Sequence, residues 1–268
     1  MKMTRMRPSI LLGLAFAALA LFILLPFVQT VLLSFTLTLP REGYREGQAT
    51  LINYATVFAR PDLRDAIWNS LVYVLLNVAL CLAAGLPAAY AIARFRFTGD
   101  RHILFALIAF RLTPPVVLSL PIFILFAHVG LVNSPVGIAL VHCVFNLPIA
   151  IWILESFIAA VPREFDETCF LDGHSFGHFF VGKLIPVIAP GIGVTVFFCF
   201  IFSWVEVVFA RILTVTEGKP ITMAISALFG FQTDIGLVMA MTVVSLIPGV
   251  AMIWFVRNHI ARGFVIRT

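Results

Sequence analysis

Residues 164–186 read EFDETCFLDGHSFGHFFVGKLIP, and no longer run in the chain escapes being either lipid-loving or a short hydrophilic connector. Four acids, two histidines, three glycines and a lysine stand here between two long apolar stretches. What this segment interrupts decides the fold. The 268-residue chain is 61% hydrophobic and 12% charged, with a mean hydropathy of +1.06, which leaves too little polar surface to cover a soluble globule. Apolar windows that can cross a hydrocarbon core of about 30 Å, roughly 20 helical residues each, run over 9–36, 68–93, 103–127, 136–160, 188–213 and 235–256. The expectation is an all-α integral membrane protein, one transmembrane domain over 1–268 with six spans, in which 162–186 joins the fourth span to the fifth.

The basic N-terminus, MKMTRMR, precedes an apolar run that continues past Pro26 to Phe35 without a small-residue cleavage site, so it reads as a retained first helix. Lysine and arginine beside spans mark the cytoplasmic side. Lys2, Arg5 and Arg7 precede span one; Arg94, Arg96 and Arg101 join spans two and three; Arg163 and Lys183 lie between four and five; Arg257, Arg262 and Arg267 follow six. On the other side Arg41, Arg45, Arg60 and Arg64 are balanced by Glu42, Glu46, Asp62 and Asp65, and Arg211 and Lys219 follow span five. Both termini and the 162–186 segment are therefore expected in the cytoplasm. The net charge of +5 is a topological signal, not one for nucleic acid. Cys81, Cys143, Cys169 and Cys199 have no paired spacing that suggests a metal or a disulfide framework.

Within PREFDETCFLDG, Pro162 suits a helix start, Glu164, Asp166 and Glu167 lie where the helix dipole favours acids, and Gly173 suits a stop. The spacing predicts a short cytoplasmic helix. Phe165, Cys169 and Leu171 add apolar knobs that suit it to a partner's groove. Downstream, GHFFVGK approaches a phosphate-binding loop through Gly177, Gly182 and Lys183. Leu184, however, stands where Ser or Thr should hold magnesium, and Phe179 and Phe180 fill a loop that must curl around phosphates. This chain is expected to bind no ATP.

Glu167, Gly173 and Pro186 also stand at the spacing of the E-A-A, G and I-x-L-P positions in the cytoplasmic loop of binding-protein-dependent ABC importer permeases, and Asp172-Gly173 with Ser175 matches its fuller D-G-A-S form. The chain resembles that family, in its maltose-type carbohydrate and polyol group. AAYAIARFRF at 88–97, FNLPIAIWIL at 145–154, FSWVEVVFARILT at 202–214 and RNHIARGF at 257–264 fall where the family has similar strings. Thr168 and Cys169 replace the two alanines, and Lys183 and Ile185 stand at the Ile and Leu positions. Val205, in place of a common Asn, resembles the glycerol-type branch. The resemblance implies a permease subunit in the bacterial inner membrane that pairs with a second permease, two ATPase subunits holding ATP and Mg, and an extracytoplasmic substrate-binding protein. Arg163, Glu164, Asp166, Glu167, Thr168, Cys169, Asp172, Gly173 and Pro186 would form the ATPase-coupling surface. The solute would be a sugar or a polyol such as glycerol.

Polar groups inside spans are costly and are by default functional candidates. Glu206 shares a helical face with Ser203 and either lines the solute path, or reaches the membrane interface or pairs with Arg211. His142 and Asn146, four apart, either line a cavity or bond neighbouring helices. Trp204 joins this pathway set. Pro114-Pro115 should kink span three, with Arg111 one turn before it to bond the freed carbonyls, and Asn69-Ser70 reads as the N-cap of span two. An ATP-independent channel for small polar solutes is the alternative, but the aquaglyceroporin type needs paired Asn-Pro-Ala turns, which the chain lacks. No Ser/His or paired-Asp arrangement falls within a span, and no histidine cluster suggests a metal enzyme.

Overall fold

The computed structural model describes residues 8–40, 43, 45–95, 99–230 and 233–260. Lys2, Arg5, Arg7, Arg41, Glu42, Arg96, Arg262 and Arg267, used above for orientation, lie outside the described residues. Among the described residues four helices are long and apolar enough to cross a membrane: α1 (Pro8–Ser34, over Leu12–Ser34), α3 (Pro61–Arg94), α6 (Pro135–Ala159) and α13 (Ile235–Ile260, over Ile235–Arg257). Two bent pairs are long and apolar enough to supply up to two further crossings. α4 (Asp100–Arg111) and α5 (Pro115–His128) meet at 92°, and the stretch Phe176–Val187 meets α10 (Ala189–Trp204) at 78°. With each bent pair counted as one crossing, the described residues hold up to six candidate spans, all helical, against the six expected.

The first bend falls where proline predicts it. Pro114 and Pro115 cannot donate to the preceding turn, and the amide of Thr113 closes on Phe110 O at 3.0 Å instead. Three features depart from expectation. α3 begins at Pro61, well ahead of Asn69-Ser70, because its polar first turns continue the helix. Span five bends near Ile188, between Pro186 and Pro190, and α10 ends at Trp204, leaving Val205–Val207 as a break before α11 (Val208–Leu213). Arg111 lies over the Phe202 ring, 4.6 Å from its centre, rather than on the freed carbonyls.

The described residues fall into two compact units, one drawn from Met1–Arg64 with Ile225–Ile247 and the other from Asp65–Ala224 with Pro248–Thr268. In the first unit, α2 (Ile52–Ala59) carries Asn53, which donates to Ser34 O and Thr36 O at 3.0 Å each. Asp234 accepts from Thr38 Oγ1 and from the Leu237 amide at the start of α13. Gly236 is obligatory there, since an added Cβ would strike Thr36 O and lie 2.6 Å from Asn53 Nδ2.

In the second unit α6 is the central column, with 56% of its apolar window buried against 0% for α1. It packs on α10 and α4. Gly191 makes the α10 approach possible, because a Cβ there would lie 2.7 and 2.8 Å from Phe157 Cδ2 and Cβ on α6. α3 crosses the same unit and is bonded along its length. Asn77 Nδ2 donates to Cys199 O at 3.0 Å, Tyr73 Oη donates to Gly218 O at 2.6 Å, and Ser70 Oγ accepts from the Ile221 amide at 2.7 Å, at the start of α12 (Ile221–Ala227). Ser70 and Asn69 thus hold the 219–221 segment from inside α3 and do not cap it.

Candidate functional site

The acidic segment folds as α7 (Arg163–Leu171), with Pro162 at its N-cap position and Gly173 ending it at φ 82°. The amide of His174 reaches Cys169 O and that of Gly173 reaches Phe170 O, a Schellman stop that satisfies carbonyls the helix would otherwise leave open. α8 (Phe176–Phe179) follows at once, then a wide turn at Phe180–Leu184 and α9 (Ile185–Val187). Gly177, Gly182 and Lys183 are therefore helical and form no phosphate loop.

α7 is two-faced. Glu164, Glu167, Thr168 and Asp172 are exposed, as are Arg163, Gly173 and Pro186, and Leu171 is 88% exposed. Asp166 and Cys169 turn inward and are buried. Cys169 packs with Leu154, Ile158, Phe179 and Leu184. Asp166 receives Arg94 Nε at 2.7 Å and Nη2 at 3.0 Å, with both side chains under a tenth exposed, while Tyr90 Oη donates to it at 3.2 Å. Arg94 Nη1 also donates to Val161 O at 2.9 Å, and Arg163 reaches Ala93 O at 3.5 Å. Arg94 went unread as a site residue because its partner lies 72 positions away. The one signal for Asp166 was phase, since it sits three residues before Cys169 on the same helical face.

A second polar group lies within the spans. His142 Nδ1 is 2.6 Å from Ser203 Oγ and its Nε2 is 3.3 Å from Glu206 Oε2. Glu206, in the break after α10, accepts the amides of Phe209 at 2.9 Å and Ala210 at 3.0 Å, and so caps α11. It pairs with His142, not Arg211. Asn146 donates to Asn77 Oδ1 at 3.4 Å. Trp204 is buried and stacks on Phe200, with ring centres 5.6 Å apart. Beside them a cavity of ≈ 40 Å³ is lined by Arg111, Pro115, His142, Phe145, Asn146, Phe202, Glu206 and Phe209. That volume suits about one water, well short of a sugar ring.

Ser203, His142 and Glu206 form a serine, histidine and carboxylate series, which no single span carries and two spans assemble. Hydrolytic use needs an open serine and oxyanion donors. Ser203 is only 5% exposed, and Glu206 is committed to the α11 amides. The series is a cross-span tie.

Residues 82–264 match the family described as binding-protein-dependent transport system inner membrane component. The chain is similar to the trehalose transport system permease protein SugB of Mycobacterium tuberculosis, 28% identical over 87% of this chain and 89% of that protein. It is equally similar, 28% over 95% and 94%, to the trehalose/maltose transport system permease protein MalG of Thermococcus litoralis. Its fold matches a chain from the crystal structure of a bacterial ABC transporter involved in the import of the acidic polysaccharide alginate, with a TM-score of 0.77, 20% identity and coverage of 94% and 95%. A cytoplasmic-type helix set between bent and straight apolar columns, together with a family match across most of the length, leads to one conclusion: this chain belongs to the binding-protein-dependent inner membrane components and is a non-enzymatic, multi-pass permease subunit of an ABC importer.

Proposed function

We propose that this chain is one permease half of a heteromeric importer for a polyhydroxylated solute, and that Pro162–Pro186 receives the stroke of ATP-hydrolysing subunits. The observation that carries the reading is the construction of α7. It is short, stopped at both ends and pinned from behind by Arg94, yet it exposes Glu164, Glu167 and Leu171 on the face away from its own core. Such a face suits a cleft with basic and apolar walls. Two ATPase subunits would supply ATP and Mg, a second permease would complete the path, and a soluble protein would deliver solute from outside.

The two permeases it resembles are named for trehalose and for trehalose and maltose, which favours a sugar. Glycerol rests on Val205 alone. His142, Asn146, Ser203 and Glu206, with aromatic rings around them, have the chemistry to meet hydroxyl groups, and the small cavity beside them would widen as the spans rock between inward- and outward-open states. The test is purification of the intact importer from its native membrane. Wild type is expected to carry ATPase subunits with it, and Glu167→Arg to lose them and ATP-driven uptake together. Uptake that survives Glu167→Arg unchanged refutes the coupling assignment.

A further inference from the structure

We infer that the Arg94–Asp166 pair is a joint that carries motion of α7 into α3, so that α3 delivers the stroke to the opposite side of the membrane. This rests on the reading of α7 as the ATPase-coupling helix. α7 is joined covalently to α6 through Val161–Pro162 and to the bent span through α8, and those links alone would move only its sequence neighbours. The pair adds a third link, to a helix remote in sequence.

The geometry is that of a joint, not of a surface ion pair. Arg94 is the last residue of α3, and its guanidinium is used three ways, twice on Asp166 and once on Val161 O in the turn that leads into α7. A planar, bidentate fork fixes direction as well as distance. Tyr90, one turn back, donates to the same carboxylate and meets the rings of Phe176, Phe179 and Phe180 at 5.6–6.1 Å, so α3, α7 and α8 are held together. Buried charges so paired resist separation, because either one alone would be stranded out of water.

From this joint α3 runs unbroken through Pro87 toward its other end. About 25 Å along, at 1.5 Å per residue, Asn77 ties it to α10 through Cys199 O and to α6 through Asn146. About 36 Å along, Ser70 holds the start of α12, and Tyr73 holds Gly218 in the preceding loop. A push at Arg94 therefore reaches the 218–221 segment through one continuous helix.

The test reads ATP hydrolysis and solute uptake in one preparation of the complete importer, reconstituted in proteoliposomes with its soluble binding protein. Arg94→Met and Asp166→Asn are expected to lower uptake per ATP about tenfold, within the range of coupling free energies between sites. The double variant Arg94→Met/Asp166→Leu replaces the pair with apolar groups and removes the stranded charge, so it is expected to assemble as stably as wild type. Its uptake per ATP stays low if the directional link matters. Wild-type uptake per ATP in the double variant makes the pair merely structural and overturns the inference, as does loss of assembly in all three variants. The underlying reading fails separately, when wild-type protein brings down no ATPase subunit.

Discussion

Glu206→Ala removes one carboxylate from three donors: the amides of Phe209 and Ala210 and the Nε2 of His142. Loss of the α11 cap costs about 1 kcal/mol, and loss of a hydrogen bond to a charged group about 2 kcal/mol. The total, about 3 kcal/mol, should lower the thermal midpoint of the purified importer, by no more than the roughly 6–12 °C it would be worth in a single domain of about 200 residues. Glu206→Gln keeps an oxygen at the same reach, holds one α11 amide and should cost about 1 kcal/mol. The two variants separate stability from transport. Should the carboxylate meet solute, Glu206→Gln melts near wild type but loses ATP-driven uptake at least about tenfold, the equivalent of 1.4 kcal/mol. Unchanged uptake in Glu206→Gln assigns the residue to the tie alone. A Glu206→Ala protein that melts with wild type refutes the capping argument itself.

Gly191→Ala is expected to destabilise by up to about 2 kcal/mol net, an overpacking cost of about 1–3 kcal/mol against Phe157 less a helix-propensity gain of about 1 kcal/mol; adding Phe157→Ala should recover part of the loss in thermal melts. Gly173→Ala forces a side chain onto φ 82° and should cost about 1 kcal/mol, read as faster proteolysis after α7 with little change in the spans. All four cysteines are free and buried, so a hydrophilic maleimide should label none in intact membranes and all after denaturation.

The apolar helices and the first bend could be read directly, because long apolar windows and a Pro-Pro pair act through local physics alone. α7 was equally legible from Pro162, its acids and Gly173. The break at Val205–Val207 left no mark, since valine is at home in an apolar helix and the break is made by tertiary demand on Glu206. The early start of α3 was hidden by PDLRDA, whose charges read as loop although they continue a helix. His142 and Ser203 stand 61 positions apart, and the ties at Asn77, Ser70 and Arg94 span still more, so periodicity within a window could not find them. The resemblance groups Asp166 with the coupling residues by motif position, which carries no helical phase, and the phase buries it.

The two bends bear on how the chain enters the bilayer. The arms His102–Arg111 and Pro115–His128 hold 10 and 14 residues, and Phe176–Val187 and Ala189–Trp204 hold 12 and 16. None matches the roughly 20 residues a crossing needs. An insertion machine that weighs oiliness over a full membrane width would therefore take up each pair, as a single crossing, in one straight segment. For the α4–α5 pair the elbow would then form after entry, once α6, next in the chain, is made to receive α4, whereas the second pair enters with α6 already in place for α10.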